Sequence, residues 1–471
     1  MKAKCDLAVI GGGPGGLVVA SVAAQLGLRV ILAEKSDRLG GDCLHHGCVP
    51  SKTLIRSARV AHLMRNGARY GLPSCEPEID LNKVVDRIEF VIADIQRHDD
   101  PERFRAYGCD VRFAPARFTG PHELQIGDDV VTARRCVIAT GSQPAVPPIP
   151  GLQEAGYDTN ETIFSCRQLP PRLAIIGAGP IGVELAQAYA RLGSRVTLIE
   201  QSARVLPAAD ADIAESLSGV LSDEGITLRT AAQVTHVRRD GDCRQLFLDD
   251  DSTVECERVL VATGRRAAIF GLGLEAAGID HTPGGIVVDR RLRTSQKHIY
   301  AVGDVCGPYP FTHMAEYQAG VVLANLLFRF PRKVDYRVVP WVTYTDPEVA
   351  HVGLTQMDAD ARGLKYDVAR FELAEIDRAK TDTAVEGFVK ILISRGRIAG
   401  ASLVGAHAGE LIHELALAMR VKARVRDVAE LVHAYPTYSQ IHRRAINARY
   451  SQLLYSRKTR FLVRMIKTLL P

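Results

Sequence analysis

One pattern occurs twice in this chain, and the two copies align without a gap. Residues 7–34 read LAVIGGGPGGLVVASVAAQLGLRVILAE, and residues 173–200 read LAIIGAGPIGVELAQAYARLGSRVTLIE. Each copy runs from a short β-rich stretch through Gly-x-Gly-x-x-Gly and a helical stretch to a second strand ending in an acid. Each residue type has a physical task. Gly11 and Gly177 permit a tight turn, Gly13 and Gly179 let backbone approach a pyrophosphate, and Gly16 and Gly182 let helix pack closely on strand. The pyrophosphate then faces the positive end of a helix macrodipole. Glu34 and Glu200 fall where a carboxylate accepts from a ribose 2′-hydroxyl. One such motif is weak evidence. Two with identical spacing predict two dinucleotide sites.

Each unit closes with a later strand of similar type, ending in Thr140-Gly141 and Thr263-Gly264. A third such strand, Ile299–Val302, runs into Gly303-Asp304, where a carboxylate is placed to hold a second polyol such as a ribitol chain. A proline-rich stretch at 144–150 marks a crossing between domains.

Between the first acid and the next helical run lies Gly40-Gly41-Asp42-Cys43-Leu44-His45-His46-Gly47-Cys48-Val49-Pro50-Ser51-Lys52. The glycines place both cysteines near a helix N-terminus, where the dipole is expected to lower a thiol pKa. Five residues of regular helix rise about 7.5 Å, beyond the roughly 7 Å Cα limit of a disulfide. A Cys43–Cys48 bridge therefore needs a distorted first turn, which Gly47 and Pro50 allow. Unpaired thiols or a metal held with His45 and His46 are the other readings. Zinc pairs have shorter spacing and need a second pair, which the chain lacks, so no metal site is expected.

At 471 residues the chain is too long for one core. A net charge of +5 is too small to argue for a nucleic-acid partner. Neither a secretory leader nor a membrane-spanning apolar run is evident, so a cytoplasmic location is expected. The ten cysteines form no regular framework, and most should be buried thiols.

The segment at 40–52 resembles the redox signature of the pyridine nucleotide–disulfide oxidoreductase family, which includes dihydrolipoamide dehydrogenase, glutathione reductase and mercuric reductase. The resemblance spans about residues 5–450, and residues 184–194 look especially like mercuric reductase. It implies an α/β fold with two Rossmann-like dinucleotide-binding domains plus a C-terminal α+β dimerisation domain. The implied limits are 1–150 and 271–335 for the FAD part, 151–270 for the nicotinamide part, and 336–450 for the interface of a homodimer, with a tail at 451–471. Among site residues it implies Gly41, Thr140, Gly141, Gly264, Gly303 and Asp304 at the nucleotides. A helix beginning near His313 and Ala315 would point at the flavin. Lys52 and Glu184 would pair beside its N5. Cys48 would be the flavin-side sulfur and Cys43 the exchanging one. The acceptor would be a disulfide or another thiol-reactive species. The resemblance leaves a thiophilic metal-ion reductase, a quinone reductase or a membrane-docked flavin redox sensor as rivals. Glu200 favours NADH, since it would repel a 2′-phosphate.

The chain departs from that family where substrate protons are handled. The usual His-Pro-Thr and nearby Glu are replaced by Tyr435-Pro436-Thr437 and Gln440. Tyrosine titrates near 10 and glutamine does not titrate, so neither is a base near neutrality. His433, two residues earlier, is the remaining candidate. Mercuric reductases carry a tyrosine here too, but their C-terminal cysteine pair has no counterpart, because no cysteine follows Cys306. Gly264-Arg265-Arg266 stands where the family usually has Arg-Pro-Asn. In the tail, Phe461, Leu462, Met465, Ile466, Leu469 and Leu470 repeat at helical spacing opposite Arg460, Arg464 and Lys467. This basic amphipathic helix either packs on the dimer or docks peripherally on an anionic inner-membrane surface.

Overall fold

The computed structural model describes residues 2–469. It shows two compact units that interleave along the chain. The first gathers residues up to Ser57 with Ile79–Gly177 and Val234–Asp335, and the second gathers Ala58–Glu78, Ala178–Gln233 and the chain from Tyr336 on.

In the first unit, strand Lys2–Ile10 lies between Val30–Glu34 and Asp129–Ile138, parallel to both, with Leu7 opposite Val30 and Arg135. Cys109–Phe113 extends the sheet beyond Val30–Glu34, and Ile299–Ala301 pairs in parallel with Asp129–Ile138. The strand Val30–Glu34 is buried along its whole length. Such a continuous apolar run suits a parallel strand covered on both faces. Helix Pro14–Gln25 follows the first strand, with Pro14 at its start and Gly13 as its extended N-cap. Its buried face is made of small residues, among them Gly15, Gly16, Ala20 and Ala23. Helix Thr312–Leu327 packs on it so tightly that a Cβ on Gly15 would stand 3.3 Å from that of Ala315. All the parallel strands send their carboxyl ends to one edge, where open α/β sheets bind ligands. The same unit holds Arg172–Ile176 paired in parallel with Arg258–Val261, and a three-stranded antiparallel sheet over Val234–Cys256.

The second unit contains helix Pro180–Leu192, the parallel pair Arg195–Glu200 and Thr227–Thr230, and a five-stranded antiparallel sheet. That sheet runs in the order Pro340–Thr343, Glu348–Gly353, Arg397–Gly405, Phe388–Ser394 and Asp367–Glu372. Ala350, Val352, Ile391 and Leu403 meet Ile412, Leu415, Ile441 and Ile446 in its core, the latter four from helices Ala408–Arg420 and Gln440–Leu454. Two cations are buried there with partners. Arg191 reaches Glu224 at 2.6 Å and Asp346 at 2.8 Å, and Lys390 reaches Asp210 at 2.7 Å and Asp212 at 2.5 Å. Helix Arg457–Leu469 ends the described chain with no buried residue. The expected Leu470 lies outside the described residues. Among these residues, no helix is long and apolar enough to cross a membrane.

Candidate active site

The two cysteines stand on two different helices. Cys43 belongs to the short helix Gly41–His45, and Cys48 is the first residue of helix Cys48–Arg65. The rise of a continuous helix therefore does not separate them, because the chain turns at His46 and Gly47. That turn favours glycine: a Cβ on Gly47 would lie 3.1 Å from both the Cys43 Cα and the Asp42 carbonyl oxygen. The fold brings the two thiols into hydrogen-bonding contact, and Thr312 adds a second side-chain hydrogen bond to Cys43. Cys48 is exposed and Cys43 half-buried.

The expected drop in thiol pKa does not hold for Cys43. Its neighbour Cys48 and then burial push it well above the ordinary thiol range. The helix dipole acts on the first residues of Cys48–Arg65, which Cys43 does not belong to. His45, a candidate metal partner of the cysteines, instead bonds the Leu39 carbonyl through Nε2 at 2.8 Å.

The redox segment is clamped against the first glycine loop. Gly41 has φ +65°, and a Cβ there would stand 2.7 Å from the Gly13 Cα. Backbone touches backbone at this point, so the dithiol sits beside the loop expected to take a pyrophosphate. Gly11 and Gly13 form the turn into helix Pro14–Gln25, and Gly16 is buried in its first turn. Glu34 is held by that loop: Oε2 accepts from Gly12 N at 2.7 Å, and Oε1 accepts from Ser36 N at 2.8 Å.

The second glycine motif repeats this geometry atom for atom. Glu200 Oε2 accepts from Ala178 N at 2.8 Å and Oε1 from Ser202 N at 2.8 Å. Gly179 caps helix Pro180–Leu192, Gly177 precedes it, and Gly182 is buried within it. On that helix Glu184 is buried, and its Oε1 accepts from Tyr344 N at 2.8 Å.

The segment expected to hold a polyol is fixed by its own hydrogen bonds. Gly303 and Asp304 make a 3₁₀ turn after strand Ile299–Ala301, with Gly303 N donating to Gln318 Oε1 at 2.7 Å. Ser142 Oγ donates to Asp304 Oδ2 at 2.5 Å. Burial pushes the Asp304 carboxyl above its ordinary range, while Ser142 and Arg265 pull it back. Arg265 links this acid to the redox segment, with Nη2 3.0 Å from Asp42 Oδ2 and Nε donating to Ser142 Oγ at 2.7 Å. Asn160 completes the bridge by donating to the His46 carbonyl at 3.0 Å and to Asp42 Oδ1 at 3.3 Å. Thr140 donates to the Ala268 carbonyl at 2.9 Å, and Gly141 and Gly264 flank the antiparallel pair Ser142–Pro144 and Arg265–Ala267. His313 and Ala315 lie in the first turn of Thr312–Leu327, and His313 stacks on Phe311 at 5.2 Å. No local pattern in the chain points to Ser142, Asn160 or Gln318, and Arg265 stands out there only as a departure.

The remaining candidates lie on separate elements. Lys52 is one turn after Cys48 on the same helix. Tyr435 is 70% exposed, and its hydroxyl donates to Asp377 Oδ2 at 3.3 Å. His433 turns inward instead, with Nε2 3.2 Å from both carboxylate oxygens of Glu414.

The groups of the first unit suit FAD in kind: a glycine turn would take the pyrophosphate, Glu34 a ribose, and the buried Asp304 a polyol. Comparison with known proteins points the same way. Residues 5–319 match the family model described as pyridine nucleotide-disulphide oxidoreductase, and residues 339–446 match that family's dimerisation domain. The chain is 35% identical to a dihydrolipoyl dehydrogenase of Thermus scotoductus, over 96% of this chain and 98% of the relative. It is 32% identical to a mercuric reductase of Bacillus cereus, over 92% of this chain and 70% of the relative. Among solved structures, the HOCl-induced flavoprotein disulfide reductase RclA of Escherichia coli superposes with a TM-score of 0.85 at 28% identity, covering 94% of this chain and 98% of that one. LpdA of Mycobacterium tuberculosis gives 0.86 at 28% identity, covering 95% and 99%.

Proposed function

The chain belongs to the pyridine nucleotide-disulphide oxidoreductase family of FAD-dependent, NAD(P)H-using enzymes, and on that premise we propose that it passes electrons from NADH through Cys43 and Cys48 to a disulfide or other thiol-reactive acceptor. The observation that carries this reading is the contact of the two thiols on a segment clamped to the first glycine loop. Bound FAD supplies the chemistry that links nicotinamide hydride transfer to two-electron reduction of a disulfide. The protein's part is thiol–disulfide exchange. With the Cys43–Cys48 bond formed, an electron pair arrives at Cys48, the S–S bond breaks, and Cys43 leaves as the thiolate that attacks the acceptor or takes up a proton. Because its surroundings favour the neutral thiol, Cys43 needs a proton acceptor during turnover. The Tyr435 hydroxyl donates to Asp377, and His433 is turned toward Glu414. This supports an acceptor that does not depend on the family's His–Glu pair, such as a soft metal ion, alongside disulfides.

Lys52 and Glu184 take the charge-balancing role that the resemblance implies. NADH is favoured over NADPH because Glu200 keeps a carboxylate where a 2′-phosphate would stand. The working form is a homodimer, consistent with the match to the dimerisation domain.

Anaerobic titration with NADH tests the scheme. A long-wavelength charge-transfer band should appear and be absent in Cys48→Ser. Flavin bleaching with the thiols still oxidised would refute it. Side-by-side turnover with lipoamide, Hg(II), a quinone and oxygen then identifies the acceptor class.

The tail supports a peripheral membrane location. Phe461, Leu462, Met465, Ile466 and Leu469 are exposed along one stripe of the last helix, and residues 451–471 carry five cations and no acid. That charge pattern complements an anionic lipid surface. Equal pelleting of full-length and tail-deleted protein with anionic vesicles would remove this part of the proposal.

A further inference from the structure

Two imidazoles and a carboxylate converge within the second unit. Glu414 comes from helix Ala408–Arg420, His442 from helix Gln440–Leu454, and His433 from the segment between them. His433 Nε2 lies 3.2 Å from each Glu414 oxygen, and His442 Nδ1 lies 3.1 Å from Oε2. The three ligand atoms are all within 4.8 Å of one another. His442 is 0% exposed and the His433 side chain 4%, while Glu414 retains 24%, which leaves a way in past the carboxylate.

The hydrogen bonds determine what this arrangement lacks. His433 Nδ1 is 3.2 Å from the Leu431 carbonyl oxygen, which can only accept, so Nδ1 carries the ring proton. In the neutral ring, Nε2 then presents a lone pair to two carboxylate oxygens that also present lone pairs. A cation must stand between them, either a proton or a metal ion. His442 adds a second imidazole: its Nδ1 lies 3.1 Å from Oε2, close enough to donate to that carboxylate or to share an ion with it. One atom of each of the three residues can therefore reach a single metal ion. Two imidazoles with one carboxylate suit Zn(II) and its late first-row neighbours, whereas Mg(II) and Ca(II) prefer all-oxygen sites. The backbone carbonyl on the far nitrogen of His433 is the outer support that metal-bound histidines usually have.

We propose that Glu414, His433 and His442 bind a divalent transition-metal ion of the Zn(II) type, which ties the Tyr435 segment to two helices. The site leaves a fourth position for water, and binding displaces any proton held between the ligands without a change of oxidation state. Tyr435 lies two residues beyond His433, so the ion would fix the approach of that side chain.

The test uses FAD-loaded protein in a Cys43→Ser/Cys48→Ser background, stripped with a chelator and titrated with Co(II), then Zn(II). One Co(II) per chain with visible d–d bands, displaced by Zn(II), is expected. His442→Gln should weaken binding by more than the roughly 10–100-fold that loss of an outer support costs, with FAD retained. Absence of a stoichiometric equivalent, or unchanged binding in His442→Gln, overturns the site. Zinc-edge X-ray absorption on the unsubstituted protein keeps the proposal testable if the variants misfold. Nitrogen and oxygen ligands at about 2.0–2.2 Å are expected, and sulfur at about 2.3 Å overturns it. Imidazole nitrogen spectra showing a protonated bridge with Zn(II) in excess would also overturn it.

Discussion

Replacing Gly41 by alanine puts a methyl carbon 2.7 Å from the Cα of Gly13 and 3.5 Å from its nitrogen. Both atoms are backbone, so no side-chain rotation relieves the contact, and either the redox helix or the glycine loop must move. The residue also has φ +65°, which costs a non-glycine residue about 1–2 kcal/mol. Overpacking of a rigid contact adds about 1–3 kcal/mol. Gly71→Ala is the matched control: its φ is +73°, and nothing lies within 4 Å of the added Cβ. Both variants should lose the conformational part, about 1–2 kcal/mol of stability. Only Gly41→Ala should also weaken FAD binding, because its extra strain falls on the loop expected to take the pyrophosphate. An excess of about 1–3 kcal/mol corresponds to a roughly 5- to 150-fold higher Kd. Reconstitution of apoprotein followed by flavin fluorescence measures it. Equal FAD affinity in the two variants would refute the view that the redox segment and the nucleotide loop form one rigid site.

Three further outcomes follow from the electrostatics. Cys43, its thiol pKa raised first by Cys48 and then by burial, should be alkylated by iodoacetamide far more slowly than Cys48 near neutral pH in the reduced protein, as read by peptide mass spectrometry. Arg191→Met should destabilise the protein by about 3–5 kcal/mol at pH 7, since it leaves Glu224 and Asp346 without their buried cation. Burial raises the Asp346 pKa, but Arg191 and Arg59 outweigh it and hold the carboxyl below its ordinary range. The part of that difference due to Asp346 is therefore present above pH ~4 and shrinks as pH falls through the folded-state value, which denaturant melts at pH 7 and pH 3.5 will show. Arg265→Gln should move the acid limb of FAD retention to higher pH, because Asp304, already raised by burial, loses the cation that pulls it back; an unmoved limb in a pH series of FAD release would refute the assignment.

The duplicated glycine units, their terminal acids and the spacing of the cysteine motif were legible in the chain because each is local. A turn, a close backbone approach and a helix start are dictated by a few adjacent residues. From these came the α/β class, the two nucleotide sites and the dithiol. Folding decided what depends on residues far apart. Gly41 meets Gly13, Arg265 joins Asp42 to Ser142, and Glu414 captures His433. The same folding raised the Cys43 pKa where proximity to a helix start had suggested the opposite, because a neighbouring thiol and desolvation act through space. Sequence spacing fixes which groups can share a turn, but charge, burial and tautomer are set by what the rest of the chain brings alongside.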